Sequence, residues 1–390
     1  MYPDLSYIAH ALLGTEPDNL LSIAKTFGLF LLFAFLTAAA LLRSDLKRRE
    51  RIGQMKGEVV RQMPGGTVTV YDYIFNGLFG FVLGYKIPYI AGNLEAFRRN
   101  PASIVFTAEG NLLVGALVGA AFLAYYYYLS RKQGERKPVR TTIFPHDRIG
   151  PITLMAAVGG ILGAKFFAII EYLPRFFEDP LGVLFSGDGL AIYGGLIGGA
   201  VAVMWYARKH GIPALPLADA TAPGLIVAYG VGRMGCQLSG DGDWGIVAGP
   251  QPGWWFFPDW AWSFTFPHNV LERGVAIAGC TYDYCRELPE AVYPTSIYET
   301  LLAFAIGGLL WALRKRLTYF PGTLFSIYLL LNGVERFLIE FIRVNDRYSV
   351  LGFELSQAQL IAIAFMALGL IGIFVFYVNK GRGRRSIANG

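Results

Sequence analysis

Charge is scarce in this chain. Only 16% of its 390 residues are Asp, Glu, Lys or Arg, against about 25% in soluble domains. With 54% hydrophobic residues, that deficit excludes an ordinary soluble enzyme and indicates an integral membrane protein. Histidine is nearly missing: His10, His146, His210 and His268 are the four, and all lie outside the apolar runs. Cysteine is limited to three residues with no C-x-x-C pair, so nothing suggests a zinc site, and no metal or cofactor is expected. The apolar runs lack the short alternation of barrel strands. No inverted repeat or pair of broken helices suggests a transporter.

What is present is a series of runs near the roughly 20 residues needed to cross a bilayer. They fall at about 22–43, 71–92, 112–130, 150–172, 187–207, 217–235, 296–314, 320–342 and 355–378. Backbone groups in lipid must be satisfied internally. The expected fold class is therefore an all-α integral membrane protein, a polytopic bundle of about nine transmembrane helices. Basic residues cluster after the odd-numbered runs, as in Arg43–Arg61, Arg131–Arg148 and Arg314–Arg316. The positive-inside rule then places the amino terminus outside and the carboxyl terminus in the cytoplasm. The same rule accounts for the net charge of +6, and no nucleic-acid partner is implied. Asp4, Glu16 and Asp18 precede the first run where a signal peptide would carry basic residues, so that run is expected to be retained.

On this topology residues 236–295 form a long, outward-facing, loop-rich head segment holding Cys280 and Cys285. An oxidising compartment permits a short disulfide loop between them, two free thiols being the alternative. Cys236, at the membrane edge, reads most simply as a small buried residue.

Ionisable groups inside apolar runs are costly and are functional candidates by default. Arg336, Glu340 and Arg343 stand at i, i+4 and i+7, a spacing that stacks them on one helix face. They could be a buried ion-pair ladder that fixes register. The functional reading is an anion site, with Glu340 orienting Arg336 and the arginine forks suited to phosphate. Arg233 stands between Gly232 and Gly235 in "GVGRMGCQLSGDGDWG". Asp219 reads as a helix-start cap, and Lys165 is the only cation inside the fourth run. Gly194, Gly195, Gly198 and Gly199 suit close helix packing or room for a lipid.

Five stretches in order, "FGLFLLFAFLTAA", "GGILGAKFFAIIEY", "GLAIYGGLIGG", "LADATAPGLIVAYGVGRMGCQLSGDGDWG" and "YPTSIYETLL" with "ERFLIEFIR", resemble the bacterial prolipoprotein diacylglyceryl transferases. The resemblance implies transfer of a diacylglyceryl group from phosphatidylglycerol to the lipobox cysteine of a prolipoprotein signal peptide, in the cytoplasmic (inner) membrane, among other membrane lipids. It implies catalytic roles for Arg233, Arg336, Glu340, Asp241 and Tyr193. Substrate-binding roles follow for Arg343, Gly194, Gly195, Gly235, Cys236, Ser239, Asp219 and Lys165. It divides the chain into a first span with a basic cytoplasmic loop (1–70), an inserted hairpin with its loop (71–147), a transferase-like core (148–378) and a basic cytoplasmic tail (379–390). Tyr193 stands where the family has histidine, Cys236 and Ser239 replace two asparagines, and Asp241 replaces a glutamate. The phosphate-binding half is thus closer to the family than the proton-transfer half. Two alternatives stay open: a related lipid transferase with another acceptor, and a non-catalytic membrane protein that binds phospholipid or a partner.

Overall fold

The structure, a computed structural model, describes residues 1–62, 70–99, 101–105, 107–132, 139–180, 183, 191–350 and 352–379. Its principal helices are α1 (Leu5–Leu13), α2 (Thr26–Arg51), α3 (Val70–Gly92), α4 (Leu112–Lys132), α5 (Ile149–Glu171), α6 (Ile192–Lys209), α7 (Ala214–Ser239), α8 (Thr295–Leu313), α9 (Thr323–Ile339) and α10 (Gln357–Ile373). Each expected run overlaps one of α2 to α10. Seven helices among the described residues are long and apolar enough to cross a membrane, those of α2, α3, α4, α5, α7, α8 and α10. The span of α10 continues through a π-turn to Val378, 22 residues in all, and the other two helices are shorter than any of these seven spans. Helix α6 has 18 residues, and residues 187–190 of the run assigned to it lie outside the described residues. Helix α9 has 17 residues, about 26 Å of rise, and carries Glu335 and Arg336. The basic tail beyond Asn379 also lies outside the described residues.

The chain divides into two compact units. One comprises residues 57–211. In it α3 packs on α4 and α5 on α6, while Glu58–Gln62 pairs antiparallel with Val139–Ile143. Small residues allow these close approaches: a methyl group on Gly194 would strike the Gly163 carbonyl and Phe167, and one on Gly198 would strike Gly159. Gly195 faces Gly160 and Ala164 in the same seam. The glycines of "IYGGLIGG" therefore serve helix–helix contact.

The other unit comprises residues 1–56 and 212–390. Helix α7 is its axis, packed by α2, α8 and α9, with α10 against α9. Ala222, Ile226, Ala303, Leu310 and Leu324 form the fully buried core between them. The amides of Gly322 and Phe325 at the start of α9 donate to Asp219, each at 2.9 Å. Asp219 is a cap, but of a neighbouring helix and not of its own. This also places it some 14 residues, or about 21 Å of helical rise, from Arg233.

At the other end of α7, Gly240 closes the helix with φ +66°, a left-handed conformation that glycine adopts freely. The chain then folds residues 241–294 around Trp244, Phe266 and Val292. Helix α1 packs on this segment: the Tyr284 amide donates to Tyr7 Oη at 3.2 Å, and Lys25 reaches both Asp4 and the Tyr284 hydroxyl. Cys280 and Cys285 are joined by a disulfide, their Cα atoms 5.6 Å apart. Trp254 and Phe256 on the same segment are 70% and 83% exposed.

Candidate active site

Three helices and one loop bring six charged side chains together. Arg233, six residues before the end of α7 at Ser239, is only 8% exposed and pairs with both Asp243 and Glu299. Glu299, on the first turns of α8, has no solvent exposure. It also accepts from Arg336 Nη1 at 3.1 Å and from Arg343 Nη1 at 3.4 Å. Arg336 pairs with Glu340 at 3.0 Å, and Arg343 Nη2 donates to Asp243 at 2.6 Å. Arg233, Asp243, Arg343 and Glu299 thus close a ring of alternating charges, from which Arg336 and Glu340 branch at Glu299, and the six charges sum to zero. Isolated buried charges would cost several kcal/mol each, which explains why each of these six has a counter-charge.

The ladder read from the sequence is corrected in part. Arg336 and Glu340 do pair one turn apart, but α9 ends at Ile339 and residues 340–342 form a tighter turn. Arg343 is therefore extended, with φ −94° and ψ 155°, and does not continue the helix face. It returns to the cluster because Gly245 bridges it and the Ile246 amide donates to Ile342 O at 2.9 Å. The same strand-like segment fixes Asp243, whose carbonyl accepts from the hydroxyls of Thr295 at 2.7 Å and Ser296 at 3.2 Å.

Glu299 and Asp243 were not singled out from the sequence, and they are the two carboxylates that hold the arginines. Glu299 had a signal: it is an acid inside an apolar run, the criterion that flagged Arg336. Asp243 had none, because its role depends on the fold of 240–246. Asp241, two residues earlier, lies instead against Cys236 and accepts from the Asp243 amide at 3.3 Å. Burial pushes the Asp241 carboxyl above the usual range, with the thiol of Cys236 opposing the shift and the charge of Asp243 adding to it. Burial would do the same to Asp243, but Arg233 and Arg343 outweigh it and hold that carboxyl at about 2.

Cys236, Asp241 and Asp243 offer ligand atoms within 4.8 Å of one another. Two guanidiniums already sit on Asp243, so a cation there would be repelled. Gly235 does not face the arginine cluster: a methyl group there would strike Phe30 of α2. Gly232 has open space on its Cα among the described residues. Ser239 is buried and its carbonyl accepts from the Val270 amide at 3.1 Å, tying α7 to the following segment. His268 is held by the Tyr284 carbonyl at 2.6 Å and packs on Tyr7. Tyr193, Lys165, Gly194 and Gly195 belong to the unit of residues 57–211.

The ring has unused donors. The Nε–H groups of Arg233 and Arg343 are buried and meet no acceptor among the described residues. Buried donors are normally paired, so these two are suited to an oxyanion. Arg336, at 26% side-chain exposure the most open of the three, stands at the accessible edge.

The sequence model of the family described as prolipoprotein diacylglyceryl transferase matches residues 115–375, a span that contains all six charged residues. The phosphatidylglycerol–prolipoprotein diacylglyceryl transferase of Clostridium tetani is 28% identical over 283 residues, covering 69% of this chain and 93% of that protein. The phosphatidylglycerol–prolipoprotein diacylglyceryl transferase 2 of Clostridium perfringens is 33% identical over 245 residues, covering 62% and 83%. The corresponding enzyme of Corynebacterium efficiens is 28% identical over 239 residues, covering 60% and 69%. This multi-pass membrane chain belongs to the prolipoprotein diacylglyceryl transferase family.

Proposed function

We propose that the protein transfers the diacylglyceryl group of phosphatidylglycerol to the cysteine thiol of a prolipoprotein, within lipoprotein biogenesis. The observation that carries the reading is the convergence of Arg233, Arg336 and Arg343 on the buried Glu299, with guanidinium donors left over. In the transfer, the thiol sulfur bonds to the glyceryl carbon and the carbon–oxygen bond to the phosphate breaks. Negative charge then grows on the departing glycerol phosphate. Arginines preorganised in a site shielded from water stabilise that charge without reorganising at the moment of reaction.

The roles divide along the ring. Arg336, at the open edge, meets the phosphate first, with Glu340 holding its fork in place. Arg233 and Arg343 supply the deeper donors. Because the resting ring is neutral, an arriving phosphate competes with Asp243 and Glu340 for the guanidiniums, and these carboxylates keep the arginines charged and ordered between turnovers. Cys236 and Ser239 stand at the same end of α7, and Asp241 lies beside Cys236. Tyr193 takes the position of the family's histidine. The protein sits in the bacterial cytoplasmic membrane with all nine long helices crossing, and the segment 241–294, α1 and the arginine ring face outward.

Expression in cells depleted of their own transferase tests this reading. Growth and lipidated lipoproteins are expected to return. A correctly inserted protein that restores neither rules the reading out.

A further inference from the structure

Glu335 lies one residue before Arg336 on α9 and is 3% exposed. Neither of its carboxyl oxygens meets a hydrogen-bond partner among the described residues. It lies within electrostatic reach of Glu299, Arg336, Arg233 and Arg343, so it adjoins the ring without being bonded into it. Tyr229, one helical turn below Arg233 on α7 and 5.9 Å from its guanidinium carbon at the ring centroid, also has a buried, unpartnered hydroxyl. A carboxyl in such a place costs stability unless something else uses it.

The remaining carboxylates near the arginines are committed. Glu299 meets three guanidiniums and Asp243 two. Glu340 holds Arg336 and Asn345. Asp241 is engaged by Cys236 and the Asp243 amide. A carboxylate whose lone pairs face guanidiniums is a poor proton acceptor. Glu335 is the acid here whose oxygens no cation claims.

We propose that Glu335 carries the proton of the transfer step, giving it to the departing phosphate oxygen and recovering it from the acceptor thiol. The inference rests on the diacylglyceryl-transfer reading. The balance closes within one turnover. The sulfur–carbon bond forms, the carbon–oxygen bond breaks with its electron pair on the phosphate oxygen, and the thiol proton ends on the glycerol phosphate. Glu335 returns to its starting state. The ionisable groups within electrostatic reach of it, none of them bonded to its oxygens, are Tyr229 and Arg233 from α7, Glu299 from α8, Arg343 from the following segment, and Tyr328 and Arg336 from its own helix. Helix α10, the other neighbour of α9, brings no ionisable side chain. In this arrangement a dedicated carboxyl carries the proton, and no histidine is required.

The test uses the full-length protein in phosphatidylglycerol-containing nanodiscs with a cysteine-bearing lipobox peptide. Glu335→Gln is expected to lower turnover at least 100-fold at neutral pH and to leave the KM for phosphatidylglycerol within about twofold. The deficit should shrink as pH rises past about 8.5, where a thiol ionises unaided. Glu335→Asp should keep partial activity with a displaced pH profile. Parent-like turnover in Glu335→Gln, or a deficit equal at all pH values, overturns the proposal. If Glu335→Gln fails to insert, the Asp variant decides: a displaced profile supports the proposal and an unchanged one overturns it. An inserted parent protein with no transfer activity overturns the underlying reading as well, and is distinguished by the absence of any rate to compare.

Discussion

Arg233 on α7 and Glu299 on α8, 66 positions apart in the chain, form an ion pair in which the carboxylate has no contact with solvent. The pair joins two membrane helices in a buried site where an uncompensated charge would be costly, and Arg336 and Arg343 share the same acid. Removing a guanidinium therefore removes a phosphate donor and unbalances the ring. Arg233→Ala and Arg336→Ala are each expected to lower transfer at least 100-fold, about 2.7 kcal/mol of transition-state stabilisation. Arg336→Ala should insert and purify normally, since its side chain is the most open of the three. Near-parent rates in a lipid-transfer assay would remove that residue from the phosphate site.

Glu299 makes the complementary case. Glu299→Gln leaves three guanidiniums facing two carboxylates in a buried site. Breaking a buried pair by deleting one partner costs about 3–5 kcal/mol. The expected outcome is a lower unfolding temperature in detergent and reduced yield, before any effect on catalysis is read. A variant as stable as the parent would mean that water reaches the ring and screens it.

Much of the fold was legible in the sequence because the bilayer imposes one length and one composition on every crossing. The helices stand where the apolar runs stand, and Arg233 and Arg336 declared themselves as charges in greasy surroundings. The cluster's assembly was less legible. Arg343 looked like a helix-face residue at i+7, yet α9 stops four residues before it, and a bridge to Gly245 returns it to the ring. Asp243 lies in a glycine-punctuated loop whose course is set by Tyr293 and Ile342, segments distant in sequence. Asp241 and Asp243 cannot be ranked by spacing; only the fold puts the second on the arginines. Glu299 was readable by the rule that flagged Arg336, but the signal of a single acid in "YPTSIYETLL" is weaker than that of two arginines and a glutamate in register.

Asp243 also provides a pH signature. Its folded-state value of about 2 lies below the ordinary carboxylate value near 3.9. A depressed group contributes stability that is fully present above its unfolded value and is lost as pH falls through the folded one. The stability difference between the parent and Asp243→Asn should therefore be constant from pH 5 to 8 and shrink between about pH 4 and 2. Thermal unfolding in detergent across that range measures it. A difference that does not narrow on acidification would show that Asp243 is not ion-paired.

By resemblance, Tyr193 in "GLAIYGGLIGG" stands where the family has histidine. If its hydroxyl serves the reaction by holding an ester or phosphate oxygen, Tyr193→Phe should lower turnover about tenfold, roughly 1.4 kcal/mol, with little change in folding. Tyr193→His should be tolerated. Equal rates for Phe and Tyr in a lipid-transfer assay would leave Tyr193 as a packing residue beside Gly194.

The Cys280–Cys285 bridge closes a loop whose tyrosines dock α1. Tyr282 meets the Tyr7 ring edge-on at 6.1 Å, and the Tyr284 amide donates to Tyr7 Oη. Asp18 accepts from the Asp283 amide at 2.8 Å, so three consecutive loop residues hold the N-terminal segment. A crosslink over so short a loop contributes about 2 kcal/mol in the chain-entropy account. Mass mapping of alkylated peptides without reductant should find both cysteines protected, and with reductant both labelled. Cys280→Ser/Cys285→Ser should still insert, because the bridge lies outside the helices. It should also expose the α1 segment to limited proteolysis faster than in the parent. Free labelling of both thiols in protein from an oxidising compartment would rule out the bridge. Unchanged proteolysis of the double variant would show that the tyrosine contacts hold α1 without it.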